Sequence, residues 1–195
     1  MRAAAPCALG LAPHCGWAAA VVIGGSAQAP RVLARERLEL ADPTLEGSRA
    51  PYHAMQPLAL PLARGALARY EAQAESLARA QLAALLDRTG GARAAGILAG
   101  EGRAPADLAA ILASHALIHT ADGNHFRSAL ARSLEALDVP VSRVRPRELL
   151  ARAAGALGRP EADLTARVAA LGRDLGPPWG ADQKAAALLA WLLLA

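Results

Sequence analysis

Apolar residues in this chain form short continuous runs near the start and stripes with helical spacing further on. Residues 8–23 are a continuous apolar run that holds a turn-like Pro-His-Cys-Gly at 13–16. Residues 31–40 partly alternate charged and apolar positions, which is typical of a half-buried strand. The Gly-Gly-Ser at 24–26 favours a turn between the two segments. The pattern predicts an opening antiparallel hairpin.

The next hundred residues predict a loop and then helices around a buried strand. Residues 42–63 hold four prolines, which predicts an ordered surface loop. A stripe of leucine, alanine and tyrosine predicts a helix from about 67 to 86, and Gly90-Gly91 ends it. Residues 92–99 are short and apolar, as expected for a buried strand between helices.

The remaining pattern predicts further helices and one more strand. Pro105 suits the first turn of a helix whose stripe runs to His119, and the Asp-Gly-Asn at 122–124 interrupts or ends that helix. The other predicted elements are a helix over 125–137, a strand over 139–144, and helical segments over 146–173 and 181–194, which Gly176-Pro177-Pro178 separates. This order predicts one α/β domain over residues 1–195, with a mixed central sheet and helices on both faces.

Composition excludes several classes of protein. Hydrophobic residues make up 54% of the 195 residues, so the chain is not intrinsically disordered. No apolar stretch is long enough to span a bilayer without a charge or a proline. The start of the chain, broken by Pro6 and Pro13, is interpreted as the first strand of a cytoplasmic protein and not as a signal peptide. The P-loop, dinucleotide-binding and hydrolase-elbow motifs do not occur.

The charge balance is compatible with an anionic partner. The formal net charge is +4, and 20 of the 21 basic residues are arginine, with Lys184 the exception. An arginine-rich, alanine-rich chain also reflects GC-rich coding, so the arginine content by itself does not indicate nucleic acid. Few aromatic residues are present to stack on bases.

Three segments of the sequence, in order, resemble the RuvC-type Holliday-junction resolvases of the ribonuclease H-like superfamily. The opening Leu-Gly-Leu-Ala-Pro at 9–13 and Gly-Trp-Ala at 16–18 resemble the family's first strand, which reads Gly-Ile-Asp-Pro-Gly and then Gly-Tyr/Trp-Ala. Residues 141–148 resemble its last strand and the Pro-led helix after it, and residues 182–194 resemble its final helix. The chain is also similar to an uncharacterised bacterial group with the segment Ser-His-Ala-Leu-Ile-His-Thr-Ala, here 114–121.

The resemblance implies a nuclease fold but not an intact nuclease site. In the resolvases, carboxylates from the first strand, a middle strand and the final helix bind two divalent cations. Here the first-strand aspartate position falls on Ala12, and the final-helix acidic positions fall on Ala181 and Lys184, with Asp182 one residue away. Glu101 is the candidate for the middle acid. We therefore expect a resolvase-like protein that engages structured or single-stranded nucleic acid through a degraded carboxylate site.

The candidate site residues follow from this reading. Glu101, Asp182 and His14 are the candidate catalytic groups. Lys184 stands near a predicted helix N-terminus, where a phosphate is favoured. Three arginines alternate along the chain at Arg143, Arg145 and Arg147. In a strand conformation they would share one face and could follow phosphates. The alternatives are a turn glutamate, a solvated lysine and a solvated strand edge.

The sequence also contains residues with the spacing of a histidine-based metal site. His115 and His119 are four residues apart, and Asp122 is three further on, so all would share one helix face and could bind a divalent metal. Their alternative is a set of core-facing histidines with internal hydrogen bonds.

Two other functions also remain open. One is a small-molecule enzyme that uses this histidine-based metal site. The other is a noncatalytic module that forms a homo-oligomer through the apolar end of the chain, Ala185–Leu194.

Overall fold

A five-stranded mixed sheet forms the centre of the molecule. The structure is a computed structural model that describes residues 7–100 and 107–195. Its strands are β1 (Cys7–His14), β2 (Trp17–Gly25), β3 (Pro30–Glu39), β4 (Ala94–Leu98) and β5 (Val141–Val144). They lie in the order β3-β2-β1-β4-β5. β1 pairs antiparallel with β2, which pairs antiparallel with β3, whereas β1–β4 and β4–β5 are parallel. The predicted α/β class is confirmed.

The apolar run at 8–23 is two strands and not one. The chain reverses at Cys15 and Gly16, and Gly16 adopts a φ of +81° that favours glycine. The turn residues at 13–16 were identified correctly, but the run was counted as a single strand. The segment 31–40 is therefore the third strand of a meander.

Seven helices in the described ranges surround the sheet. They are α1 (Pro51–Met55), α2 (Leu60–Thr89), α3 (Leu108–Leu112), α4 (His115–Glu135), α5 (Pro146–Leu157), α6 (Glu161–Leu171) and α7 (Ala181–Leu192). Two apolar clusters divide them between the faces of the sheet. β1 contributes Leu9 and Leu11 to the cluster with α2 and α4, and Ala8 and Ala12 to the cluster with α5, α6 and α7. Helices therefore cover both faces, as predicted.

Three helix boundaries differ from the prediction. The proline-rich segment contains α1 and the start of α2, because proline is tolerated in a first helical turn. The predicted break at 122–124 is wrong, since α4 is continuous there and the break lies at Ala113 and Ser114. The helical segment 146–173 is two helices, because Gly158 adopts a left-handed conformation after α5.

Helix α7 lies directly on β1 because a glycine faces it. A Cβ built on Gly10 would lie 1.9 Å from the carbonyl oxygen of Ala186, and one on Gly96 of β4 would lie 2.6 Å from Leu189 Cγ. Only the absence of these side chains lets the helix backbone approach the strands. The start of α7 is thereby placed at the end of β1.

The apolar face of α7 is buried within its own domain. Residues 186–191 are all buried against the sheet, and Trp191 donates a hydrogen bond of 2.8 Å to the carbonyl of Ala27. The prediction that Ala185–Leu194 packs against another subunit is therefore wrong for most of its length. The apolar pattern belongs to the core of this chain.

The segment before α7 is fixed by an arginine of β3. The Arg35 guanidinium donates to the carbonyls of Gly176 and Pro178, both at 2.7 Å. These contacts fix the loop that precedes the first turn of α7. None of the helices in the described residues is both long enough and apolar enough to cross a bilayer.

We predict that Gly10→Ala strongly destabilises the fold. The new methyl group would collide with helix backbone, which cannot rotate away, so we expect a loss of about 3 kcal/mol in the free energy of unfolding, the upper end of the usual cost of overpacking. Gly65→Ala in α2 is the matched control: its Cβ meets nothing within 4 Å, and alanine is the better helix former by about 0.5–1 kcal/mol. Urea denaturation of both variants measures the difference. Equal stability of the two variants would contradict the close α7–β1 approach.

Candidate functional site at the carboxyl edge of the sheet

The end of β1 and the start of α7 meet through a contact between a histidine and a carboxylate. His14 Nε2 lies 3.0 Å from Asp182 Oδ1, and the two side chains are 42% and 40% exposed. Strand alternation explains the contact, because His14 faces the same side of the sheet as Gly10 and Ala12, the side that α7 covers. Two of the candidate catalytic residues are therefore adjacent, and both are open to solvent.

A stack of side chains orients the His14 ring. His14 and Trp17 pair across the hairpin turn, and their rings are stacked with centroids 4.3 Å apart and planes within 8°. The Arg37 guanidinium lies 3.8 Å from the centroid of the Trp17 ring and also pairs with Glu39. The imidazole is thus held flat on an indole, with one nitrogen directed at the carboxylate of α7.

The first turn of α7 presents Lys184 to solvent. Gly180 precedes the helix, and its N–H donates to Gln183 Oε1 at 2.9 Å, which fixes this end of the helix. Lys184 is exposed, and within residues 7–100 and 107–195 no salt bridge pairs it with an acid. It is therefore an available cation two residues beyond Asp182.

The three candidate arginines do not form a strand face. β5 ends at Val144, so Arg145 and Arg147 belong to the start of α5, and the predicted alternation is wrong beyond Arg143. They nevertheless remain at the carboxyl edge. With Gly100 at the end of β4, Arg145 and Arg147 line a concavity of about 460 Å³. Arg145 is partly neutralised by Glu148, at 3.0 Å.

The predicted middle acid, Glu101, lies outside the described residues. Its neighbour Gly100 lines the arginine concavity. The role of Glu101 as the middle acid of the site therefore stays a prediction.

Sequence reasoning missed Arg127 of α4. Burial lowers the pKa of its guanidinium, with Cys15 and Arg143 close enough to act on it electrostatically. Its Nη1 donates to Asn124 Oδ1 at 3.2 Å, while its buried Nε has no hydrogen-bond partner among the described residues. The sequence gives no signal for it, because fewer than half of the residues of α4 are hydrophobic and the helix holds a second arginine, Arg132.

Cys15, at the tip of the hairpin, is not an activated thiol. Burial raises its pKa from the ordinary value, Asp122 raises it further, and Arg127 lowers it. A cysteine nucleophile requires the opposite shift. Asp122 is thus close enough to Cys15 to act on it electrostatically, and its helix α4 packs on the side of the sheet opposite α7.

Three histidines meet beside Asp122. His115 and His119 of α4 have their Nε2 atoms 3.0 Å apart, as their spacing predicts. His53 of α1 joins them, and one ring nitrogen from each of the three lies within 4.8 Å of the others. The sequence did not identify His53, because it lies in the segment that the prolines marked as a loop.

Asp122 holds His53, one histidine of this cluster, in place. It is buried, and its Oδ2 lies 2.6 Å from His53 Nδ1 while its Oδ1 accepts the backbone N–H of Tyr52 at 2.8 Å. Both oxygens are therefore engaged with α1. Asp122 was predicted as a metal ligand beside His115 and His119, but its geometry is that of a residue that orients His53.

The other side of α4 borders a separate cavity of about 300 Å³. His125 lines it together with Tyr52, Glu71 and Arg132. Burial lowers the pKa of His125 to about 4, against which Asp122, Glu75 and the Tyr70 backbone act to raise it, while Arg132 lowers it further. Its buried Nε2 has no hydrogen-bond partner in the described part of the chain. His125 is therefore neutral in the folded protein near pH 7.

Comparison with known proteins identifies the fold. No protein-family model matches this chain, and no curated protein sequence matches it. The structure of Thermus thermophilus RuvC matches with a TM-score of 0.56 and 14% identity, over 95% of this chain and 92% of that chain. T. thermophilus RuvC in complex with Holliday junction substrate matches with a TM-score of 0.52 and 12% identity, over 96% and 91%. The chain has a RuvC-like fold.

We predict that stability falls between about pH 6.5 and pH 4 because of His125. In this range the unfolded chain binds a proton at this imidazole that the folded chain does not, so the free energy of unfolding falls as the pH is lowered. The expected loss is on the order of 3 kcal/mol. Urea denaturation of the wild type and His125→Leu across this range isolates the effect, since the remaining groups titrate in both. If the free energy of unfolding of the two proteins changed with pH in the same way, the pKa of His125 would be the same in the folded and unfolded states, and the prediction would be wrong.

Proposed function

We propose that this protein is a divergent, resolvase-like nucleic-acid-binding protein that engages structured or single-stranded nucleic acid at the carboxyl edge of its sheet. The RuvC-like fold supports this, and one of the matching RuvC structures holds a Holliday junction. The observation that carries the proposal is the contact between His14 and Asp182, because it brings the first strand and the last helix together at that edge.

The charges at this edge suit a phosphate backbone. The parallel strands β1, β4 and β5 all end here. The exposed cations Arg143, Arg147 and Lys184 lie near the end of β5, in the first turn of α5 and in the first turn of α7. Arginine and lysine side chains supply most contacts to phosphate oxygens in nucleic-acid complexes. The concavity lined by Arg145, Arg147 and Gly100 gives such a backbone a recessed place to lie.

The residues of this edge do not fit the two-cation carboxylate site that the resemblance implies. Ala12, at the end of β1, has no ligand atom and is buried. Lys184 would place an ammonium where the family has a second acid, and an ammonium repels a divalent cation. Asp182 is already paired with His14. These residues therefore do not support catalysis by a pair of metal ions.

Phosphodiester cleavage, as a second part of the proposal, falls to groups other than a cation pair. A water molecule attacks phosphorus and gives a proton to the His14 imidazole, while the bond from phosphorus to the leaving sugar oxygen breaks and that oxygen takes a proton from solvent. Asp182 orients the imidazole through the 3.0 Å contact, as a carboxylate orients a catalytic histidine. Glu101 keeps its place as the third candidate. The competing interaction-module function loses its main support, since the apolar face of α7 is buried in this chain.

We predict salt-sensitive binding to branched or single-stranded DNA. Fluorescence anisotropy at several salt concentrations should give a dissociation constant that rises steeply with salt, because bound phosphates release counterions. Lys184→Ala and Arg147→Ala should each weaken binding and reduce the slope of log K against log salt by about 1. Arg31→Ala in β3 is the matched control and should change neither quantity, because this exposed arginine pairs with Gly24, which lies opposite Cys7 at the other end of β1.

Two results would contradict the proposal. One is no binding at low salt to a four-way junction, a duplex or a single strand. The other is an Arg31→Ala effect as large as that of Lys184→Ala. Product analysis on the same labelled substrates, with His14→Ala beside the wild type, tests cleavage separately. Cleavage that survives His14→Ala would remove that residue from the mechanism while leaving the binding proposal intact.

A further inference from the structure

The histidine cluster of α1 and α4 has the ligand chemistry of a metal centre that is separate from the nucleic-acid edge. Three of the chain's five histidines gather here, and the other two lie apart, one in contact with Asp182 and one in the core. Residues 53 and 115 are far apart in sequence, so the grouping is made by the packing of α1 on α4. Local periodicity does not produce it.

We infer that His53, His115 and His119 bind one divalent transition-metal ion of the zinc class, with Asp122 orienting His53. Imidazole nitrogens favour zinc, copper, nickel, cobalt and iron over magnesium or calcium, which prefer oxygen ligands. The site therefore differs in donor type from a magnesium-dependent carboxylate site. It requires no residue of the His14–Asp182 pair.

The distances are close to those of a three-histidine site. Nitrogens bound to one zinc ion at about 2.0–2.1 Å in tetrahedral geometry lie about 3.3 Å from one another. The Nε2 atoms of His115 and His119 are 3.0 Å apart, and the ligand atoms of all three histidines lie within 4.8 Å. Because His115 and His119 are exposed, small rotations of their side chains are enough to complete the geometry.

Asp122 supplies the supporting contact that metal-bound histidines commonly have. A ligating histidine usually donates its other ring N–H to a carboxylate, which fixes the tautomer and the orientation of the ring. The contact between His53 Nδ1 and Asp122 Oδ2, at 2.6 Å, leaves His53 Nε2 as the free ligand atom. The carboxylate is itself buried and held by the Tyr52 N–H, so this support is rigid.

Three protein ligands leave one tetrahedral position open. Structural zinc sites normally fill four positions with protein ligands, whereas sites that bind water or substrate keep one free. Since His115 and His119 are exposed, the open position faces solvent. The class of ligand it would take is a water molecule or a small anion with an oxygen donor.

Metal titration of chelator-treated full-length protein tests the inference. Calorimetry with Zn²⁺ should give one ion per chain, and Co²⁺ should give the visible absorption of a four-coordinate site. His53→Ala, His115→Ala and His119→Ala should each lower the affinity at least 100-fold. Asp122→Asn, which keeps an acceptor for the Tyr52 N–H, should lower it about 10- to 100-fold. His14→Ala is the matched control, an exposed histidine outside the cluster, and should bind as the wild type does.

Thermal unfolding gives a readout that does not depend on the titration. Zn²⁺ should raise the Tm of the wild type, because an ion that binds only the folded state stabilises it, and should not raise that of the His115→Ala/His119→Ala double variant. Since both residues are exposed, the double variant should fold without metal. The inference is overturned if the double variant still binds Zn²⁺ as the wild type does, if His14→Ala alone abolishes binding, or if the wild type binds no Zn²⁺.

Discussion

The close approach of α7 to β1 is the contact on which the architecture of the carboxyl edge depends. It exists because Gly10 has no side chain, so that the backbone of the helix at Ala186 lies against the backbone of the strand. That approach fixes both the depth and the direction of the helix. It sets the first turn of α7 beside the end of β1, and His14 and Asp182 meet as a result.

The same constraint explains why an apolar helix at the end of the chain is not an interaction surface. The helix covers β1, β2 and β4 at the centre of the sheet, and Trp191 is anchored to the β2–β3 turn through the carbonyl of Ala27. A helix in this position must be apolar on its buried face. Its first turn lies beside the end of β1 and is open to solvent, so it can carry the charges of Asp182 and Lys184.

The sequence predicted strands and helices best where local periodicity or a local turn signal was not opposed by a tertiary contact. The alternation in 31–40, the stripe in 67–86 and the Gly-Pro-Pro at 176–178 correspond to β3, to most of α2 and to the loop before α7. Local turn signals misled where a tertiary contact overrode them. The Asp-Gly-Asn at 122–124 lies inside α4, because Asp122 is bound to the backbone and side chain of α1.

Only some residues of the candidate site could be predicted from the sequence. The spacing of His115 and His119 was enough to pair them, and the order of the resolvase-like segments was enough to place His14 near Asp182. His53 could not be found, because its role depends on how a short helix in a proline-rich segment docks onto α4. Arg145 and Arg147 were found for a partly wrong reason, since they reach the edge from α5 and not from a strand.

The two groups of polar residues lie on opposite faces of one sheet edge. His14, Asp182 and Lys184 belong to the α7 side, and Asp122 with the histidine cluster belongs to the α4 side, near the hairpin tip at Cys15. A fold of this kind supports many activities, so the residues at the edge decide the function.

Photochemical cross-linking to a labelled four-way DNA junction, followed by mass spectrometry of the peptides, tests the central claim most directly. The account predicts cross-links in the peptides that contain residues 143–147 and 180–184. Cross-links concentrated on α2, or spread evenly over the surface, would contradict it.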